Sequence, residues 1–501
     1  MPQIADEGLR ERIRASLNAP LGEGQSLSPE TELERVLSLV GLSSASTGGS
    51  VTFTGRDPIL KSPWPLATMG GVALMAKSVA AADLWRHRTG TRQDLSLDLR
   101  QVPHRLCPFY DQKWELLNGY PKQNSHDPTN PFFPTFMYPT RDGRKIQLLN
   151  TYPKAKTRAL KVLGCADNYE DLARVTRQWD AFALEEELNS QGLQATVIRS
   201  PEEFLELEQA KVLESMQLIE IEKIADSPAQ PLPPAPSSPL DGVRALGLGR
   251  VIAGAGLGRA LALHGADVLN LWRPNDFEME SIYSTSHVGM RSATLEFAQS
   301  HGKEKLLELV RETDVFFANR RPGLLEQHGL DAQNLAKIRP GLIHVEMSLY
   351  GTRGPWSQRI GFDQNAGGVT GILAREGSLE DPALTEIFVI NDYAMSWLAS
   401  MAVMATLKRR ETEGGSYRIH ISLVRLSMWL MELGIFDKGY AQLVGSTTGE
   451  HAYLPPETFQ VQTPLGLYQG VTDQVQMSQT PGSYAFPLVP RGSSQPRWLD
   501  R

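Results

Sequence analysis

A chain of 501 residues, 41% hydrophobic, 8% aromatic and 21% charged, has the composition of a globular protein large enough for two or three cores, not of a disordered or membrane chain. Its net charge of −7, with 50 Lys and Arg dispersed among 57 Asp and Glu, provides no basic stripe for a nucleic-acid backbone, so nucleic acid is not an expected partner. Cys107 and Cys165, in two dissimilar contexts, exclude a disulfide framework and a zinc site, and both read as buried thiols.

The first residues, MPQIADEGLRERIRASL, are charged and lack the apolar core of a signal peptide, and no stretch approaches the roughly 20 apolar residues of a membrane span. The chain therefore reads as cytoplasmic, with no membrane partner. Residues 67–99 predict an apolar Ala/Met-rich helix, a basic end, a glycine turn and an alternating strand. Tyr138 to Leu149 predicts a hairpin with an Asp-Gly turn, and acidic helical stretches follow to about Ile224. Together 138–225 read as a small α+β domain. The prolines of 226–240, SPAQPLPPAPSSPL from Ser227 onward, favour an extended linker.

From Gly242 the pattern is strand (to Leu248), glycine-rich turn, helix (Leu257 to His264) and strand (Ala266 to Leu271). It resumes with a helix over Lys303 to Glu312, the strand Asp314 to Ala318, and a strand from Gly341 to Met347. This alternation predicts an α/β domain over 241–440, with a doubly wound, mostly parallel sheet. Residues 391–423 can be laid without gaps on 67–99, which places Asp392 opposite Thr68. Near the end, Leu488-Val-Pro-Arg-Gly-Ser493 spells a thrombin recognition sequence and stays outside the fold argument.

Gly254-Ala-Gly-Leu-Gly258 after a strand invites a dinucleotide-binding reading. The spacing is not G-x-G-x-x-G, and the next strand ends in Leu271-Trp272-Arg273 with no acidic residue for an NAD ribose, which argues against a nicotinamide site. On residue pattern alone Asp392 is a helix N-cap, where the helix dipole would keep its carboxylate ionised.

Five segments together resemble family III CoA-transferases in order and spacing: Pro239-Leu-Asp-Gly-Val-Arg244, Arg250 to Leu271, Asp314 to Gly323, Tyr350-Gly-Thr-Arg-Gly-Pro355 and Gly361-Phe-Asp363. That superfamily includes formyl-CoA and carnitine CoA-transferases and 2-methylacyl-CoA racemases, and the likeness spans about 239–425. Trp85 to Leu99 resembles the family's R-T-G-x-x-Q turn and strand, 138–225 resembles its small domain, and a small-domain end recurs over Thr463 to Trp498. The chain thus resembles a rearranged or partly duplicated member. In it, 1–137 is a degenerate partial large-domain segment, 241–440 a Rossmann-like CoA-binding and catalytic domain, and 441–501 a partial small-domain-like segment.

The resemblance implies an acyl-CoA:carboxylate CoA-transferase, with coenzyme A entering as acyl-CoA substrate, a carboxylic acid as acceptor, and no metal. Asp392 takes the place of the family's nucleophile. Val251, Ile252 and Ala253 are implied along the pantetheine path, and Arg273, Asn319 and Arg320 near the nucleotide. Phe362 is also implied in the CoA site, at the position where racemases carry a catalytic His. Asp363 reads as a structural anchor of its turn. Because Ile252 replaces a glutamine of some formyl-CoA transferases and no glycine-rich lid follows Leu423, a racemase and a non-catalytic CoA-binding relative stay open as alternatives. The family's interlocked dimers imply a homodimer, or a pseudo-dimeric monomer that closes the same ring within one chain.

Overall fold

The computed structural model describes residues 8–108, 112–122, 137–388 and 390–500. Arg244–Leu248 is buried along its whole length, which is the signature of a strand covered on both faces, and it lies third in a seven-stranded sheet. The order across that sheet is Arg291–Thr294, Asp267–Trp272, Arg244–Leu248, Val315–Ala318, Ile343–Ser348, Ser416–Ser422 and Glu220–Ala225. The first six are parallel to their neighbours and Glu220–Ala225 closes the edge antiparallel. The α/β, doubly wound reading holds.

The glycine-rich turn opens the helix Ala253–Leu263, and its glycines serve packing. A Cβ on Gly256 would lie 2.6 Å from the Ser396 hydroxyl of the helix Asp392–Glu413, and one on Gly258 would lie 2.2 Å from Met290 Sδ. Small residues therefore let two helices and the sheet approach closely, which accounts for the run without a pyrophosphate.

A second, three-stranded sheet repeats one corner of the first. Gly48–Thr54 pairs in parallel with Gln93–Asp98, and Val475–Met477 covers the far side of Gln93–Asp98 antiparallel. Ile343–Ser348, Ser416–Ser422 and Glu220–Ala225 have the same arrangement. The gapless pairing puts Thr89 on Glu413 and Asp98 on Ser422, which are the last residues of the two helices, Leu66–Thr89 and Asp392–Glu413, and of the two strands. Both helices are apolar nearly all round, so both are buried, and they pack against each other. Near their basic ends Lys408 Nζ meets Asp83 at 2.8 Å.

The predicted hairpin forms as Met137–Pro139 and Lys145–Gln147, extended by Thr196–Val197. The later hairpin, Thr458–Thr463 with Gly466–Val471, is joined by Leu116–Leu117 and Tyr120–Pro121 from the first third of the chain. The proline-rich stretch is strapped down. Arg88 Nη1 donates to the carbonyls of Pro239 (2.9 Å) and Asp241 (3.0 Å), and Leu240 is buried. The thrombin-like segment also belongs to the fold: Leu488 is buried and the Tyr283 hydroxyl donates to the Val489 carbonyl at 2.8 Å. Of the two cysteines only Cys107 is buried, since Cys165, after the turn at Gly164, remains partly exposed.

Candidate active site

Strand order in a doubly wound sheet fixes where a ligand sits, because loops that leave adjacent parallel strands in opposite directions open a crevice at the strands' C-terminal ends. Here that point lies between Arg244–Leu248 and Val315–Ala318. The chain leaves the first toward Asp267–Trp272 and reaches Ile343–Ser348 from the second. A cavity of about 520 Å³ occupies the crevice, walled by the turn after each strand, by Asp392, and by Tyr152 and Pro153 from the small α+β unit.

Asn319 ties the two turns together. Its carbonyl oxygen accepts from the Arg250 amide at 2.8 Å and its amide donates to the Arg250 carbonyl at 2.9 Å. Next in chain, Val251 adopts a left-handed backbone with φ +56°, a conformation that costs a β-branched residue about 1–3 kcal/mol. Its N–H is held by Glu278 at 2.9 Å. Glu278 also accepts from the Tyr152 hydroxyl at 2.6 Å and from the Met279 amide at 3.1 Å, while burial pushes its carboxyl up. The Tyr152 ring in turn stacks on Phe362, with centroids 5.8 Å apart.

The polar end of the cavity is cationic. Arg250 lies 3.7 Å over the Trp272 ring and is ion-paired with Asp276, which Arg320 also meets at 3.3 Å. Burial opposes ionisation of Asp276, but the two guanidiniums overcome it and hold its carboxyl down at about 2. Burial and the neighbouring Arg320 bring Arg250 to about 9.

Asp392 is the first residue of its helix. The cap position belongs to Asn391, so the N-cap expectation for Asp392 is corrected by one residue. Its carboxylate has no hydrogen-bond partner among the described residues, although the residue is only 7% exposed and lines the cavity. The expectation that the helix terminus keeps it ionised is also overturned: burial, then the adjacent Asp363 charge, raise it well above the usual carboxylate range. Asp363 is the anchor that Asp392 is not. It accepts from the Asn391 amide side chain at 2.6 Å, from the Asn391 backbone at 3.1 Å, and from the Ile390 backbone, and burial pushes it up to about 6.

Among the residues picked out from sequence, the structure gathers Val251, Ala253, Asn319, Arg320, Phe362 and Asp392 around this one cavity. It does not bring in Ile252 or Arg273. Ile252 turns into the hydrophobic core and is 1% exposed, because the left-handed residue before it swings its side chain beneath the helix. Arg273 pairs with Glu296 at 3.2 Å outside the cavity wall. Sequence reasoning missed Arg250, Tyr152 and Glu278. Arg250 was visible as the residue that breaks the Gly249-to-Gly254 turn, but Glu278 and Tyr152 meet across 126 residues with no local signal. Among the described residues no group of three His, Cys, Asp or Glu side chains could hold a metal, and no helix is long and apolar enough to cross a membrane.

Residues 240–478 match the model of CoA-transferase family III. It is similar to the acetyl-coenzyme A transferase nodX of Hypoxylon pulicicidum, at 29% identity over 359 residues, 66% of this chain and 60% of that protein. It is also similar to the alpha subunit of succinyl-CoA–L-malate CoA-transferase of Chloroflexus aurantiacus, at 28% identity over 40% of this chain and 51% of that one. A crystal structure of a hypothetical protein from Mycobacterium tuberculosis overlays on 39% of this chain and 58% of its own, with 26% identity and a TM-score of 0.37. The chain spans about half to three-fifths of the length of the two curated relatives.

Proposed function

We propose that this protein is an acyl-CoA:carboxylate CoA-transferase that works through a covalent intermediate on Asp392. The observation that carries the reading is a buried carboxylate, free of hydrogen bonds among the described residues, at the switch point of a doubly wound sheet, with a second carboxylate fixing the residue before it. A carboxylate stripped of donors is a stronger nucleophile than a solvated one.

The exchange runs in balanced steps. An Asp392 carboxylate oxygen attacks the thioester carbonyl, the C–S bond breaks, and CoA thiolate leaves an acyl-aspartyl anhydride. The thiolate then attacks the aspartyl carbonyl and releases the donor carboxylate, leaving an aspartyl-CoA thioester. An acceptor carboxylate displaces the thiolate to form a new mixed anhydride, and thiolate attack on its acceptor carbonyl yields the new acyl-CoA and restores Asp392. Arg250 and Arg320 line the same cavity and suit an anionic nucleotide, while Val251, Ala253 and Phe362 offer apolar surface to the pantetheine and acyl chain. Phe362 cannot carry a proton, which favours transfer over racemisation.

The test is an exchange assay with acetyl-CoA and succinyl-CoA as donors and a panel of carboxylic acids as acceptors. New acyl-CoA that disappears in Asp392→Ala supports the reading. Solvent deuterium at the α-carbon of a 2-methylacyl-CoA would instead make it a racemase, and tight CoA binding without exchange a binding protein.

We also infer that one chain reproduces within itself the interlocked ring that the family resemblance implies. Support comes from the crossed strands. Glu220–Ala225 follows the first helix-strand repeat but lies beside Ser416–Ser422 of the second, and Val475–Met477 follows the second but lies beside Gln93–Asp98 of the first. The expected solution mass by light scattering is near 55.4 kDa, and twice that value would contradict a closed monomer.

A further inference from the structure

A second cavity, of about 360 Å³, lies between the helix Leu66–Thr89, the C-terminal end of the helix Ala253–Leu263 and the segment 472–477. It shares no lining residue with the Asp392 cavity. Leu263, Phe459, Val461 and Tyr484 form its apolar wall, Lys77, His264 and Asp473 its inner polar end, and the exposed Glu457 with Gln474 and Gln476 its outer polar side.

His264 is 1% exposed, and neither of its ring nitrogens has a hydrogen-bond partner among the described residues. A buried neutral imidazole offers one donor and one acceptor, and leaving either unmet in the interior is costly. Lys77, also 1% exposed, donates to Asp473 Oδ2, which leaves two of its three N–H groups without a partner among the described residues.

The buried charges around this end do not balance. Asp473 is shared between Lys77 and Arg105, the latter at 2.9 Å, and Arg259 meets Glu115 at 3.4 Å. Among these buried described residues three cations therefore face two carboxylates, and a third carboxylate, Glu457, lines the cavity from its exposed side. An excess positive charge in a low-dielectric interior is stabilised by an anion that reaches it.

We propose that this cavity binds a small monocarboxylate with an apolar body, its carboxylate accepting hydrogen bonds from Lys77 and His264 and its body lying against Phe459, Val461 and Tyr484. A cationic ligand would add to the excess charge, and a neutral one would leave it. The site is independent of the chemistry proposed for Asp392, so saturating the active cavity with CoA does not affect it.

The probe is benzoate, titrated calorimetrically into the full chain with saturating CoA present, against benzyl alcohol and benzylamine as neutral and cationic controls. Benzoate is expected to bind at least tenfold tighter than benzyl alcohol, with no heat from benzylamine. His264→Leu is expected to weaken benzoate at least tenfold. Equal affinity for acid and alcohol, or loss of benzoate binding when CoA is added, would overturn the proposal. If His264→Leu does not fold, crystals of the unaltered protein soaked with 4-bromobenzoate decide. A bromine anomalous peak against Phe459 supports the site, and a cavity holding only water on His264, or bromine confined to the Asp392 cavity, overturns it.

Discussion

The Asp363 carboxylate grips Asn391 twice, at its side-chain amide (2.6 Å) and at its backbone N–H (3.1 Å), and so fixes the backbone from which Asp392 enters the cavity. One carboxylate is engaged in several hydrogen bonds while its neighbour in space has none among the described residues. The two should respond to mutation in opposite ways.

Asp363→Ala strands the Ile390 and Asn391 amides and is expected to lower stability by about 2–4 kcal/mol, read by urea unfolding. Asp392→Asn removes a charge that burial penalises and no hydrogen bond, so its stability should stay within about 1 kcal/mol of the parent. A larger loss in Asp392→Asn than in Asp363→Ala would reverse the assigned roles.

The raised carboxylates also set a pH dependence. A nucleophile must be ionised, so exchange activity should rise with pH along an acid limb set by the coupled pair of Asp363 and Asp392. Asp363→Asn removes the like charge that raises Asp392. In the fraction that folds, the acid limb of kcat/KM is expected to move to lower pH, and an unmoved limb would contradict the coupling.

The same shift bears on stability. Asp363 is raised to about 6 when folded against about 3.9 in an unfolded chain, so its contribution is fully present below pH about 4 and is lost as pH rises through about 6. Unfolding midpoints measured between pH 4 and 7 are expected to show this falling component, reduced in Asp392→Asn because only one carboxylate then remains to be charged.

Tyr152→Phe removes the 2.6 Å bond to Glu278, the group that also holds the strained Val251 turn. Because Glu278 keeps two backbone donors, the expected stability loss is about 1 kcal/mol. The expected kinetic effect is a several-fold rise in KM for acyl-CoA with a smaller change in kcat, and an unchanged KM would show that this bond does not position the turn.

Much of the large sheet was legible in the sequence because its strands are short apolar runs bounded by glycine, and each local pattern agrees with the fold around it. Asp392 and Asp363 were legible only through the motif resemblance, since nothing local separates a nucleophile from a capping residue. The crossings of Glu220–Ala225 and Val475–Met477 were not legible, because a short edge strand carries no mark of which partner it will join. Ile252 was misplaced because a single left-handed residue at 251 inverts the side that the next side chain faces, and sequence periodicity cannot foresee that at a valine. The cationic cluster was half visible. Arg320 stood in a recognisable segment, but Arg250 and Asp276 gain their meaning only when two turns meet at the switch point.

The most direct test of the covalent role of Asp392 is chemical trapping. The protein is incubated with acetyl-CoA or succinyl-CoA, quenched with hydroxylamine, digested and read by peptide mass spectrometry, since hydroxylamine captures activated carboxyls and leaves ordinary carboxylates untouched. The account predicts a hydroxamate on Asp392 alone, dependent on the acyl-CoA and absent from Asp392→Asn, which should still bind CoA. A hydroxamate on Asp363, Glu278 or any other residue, or undiminished exchange by Asp392→Asn, would contradict it.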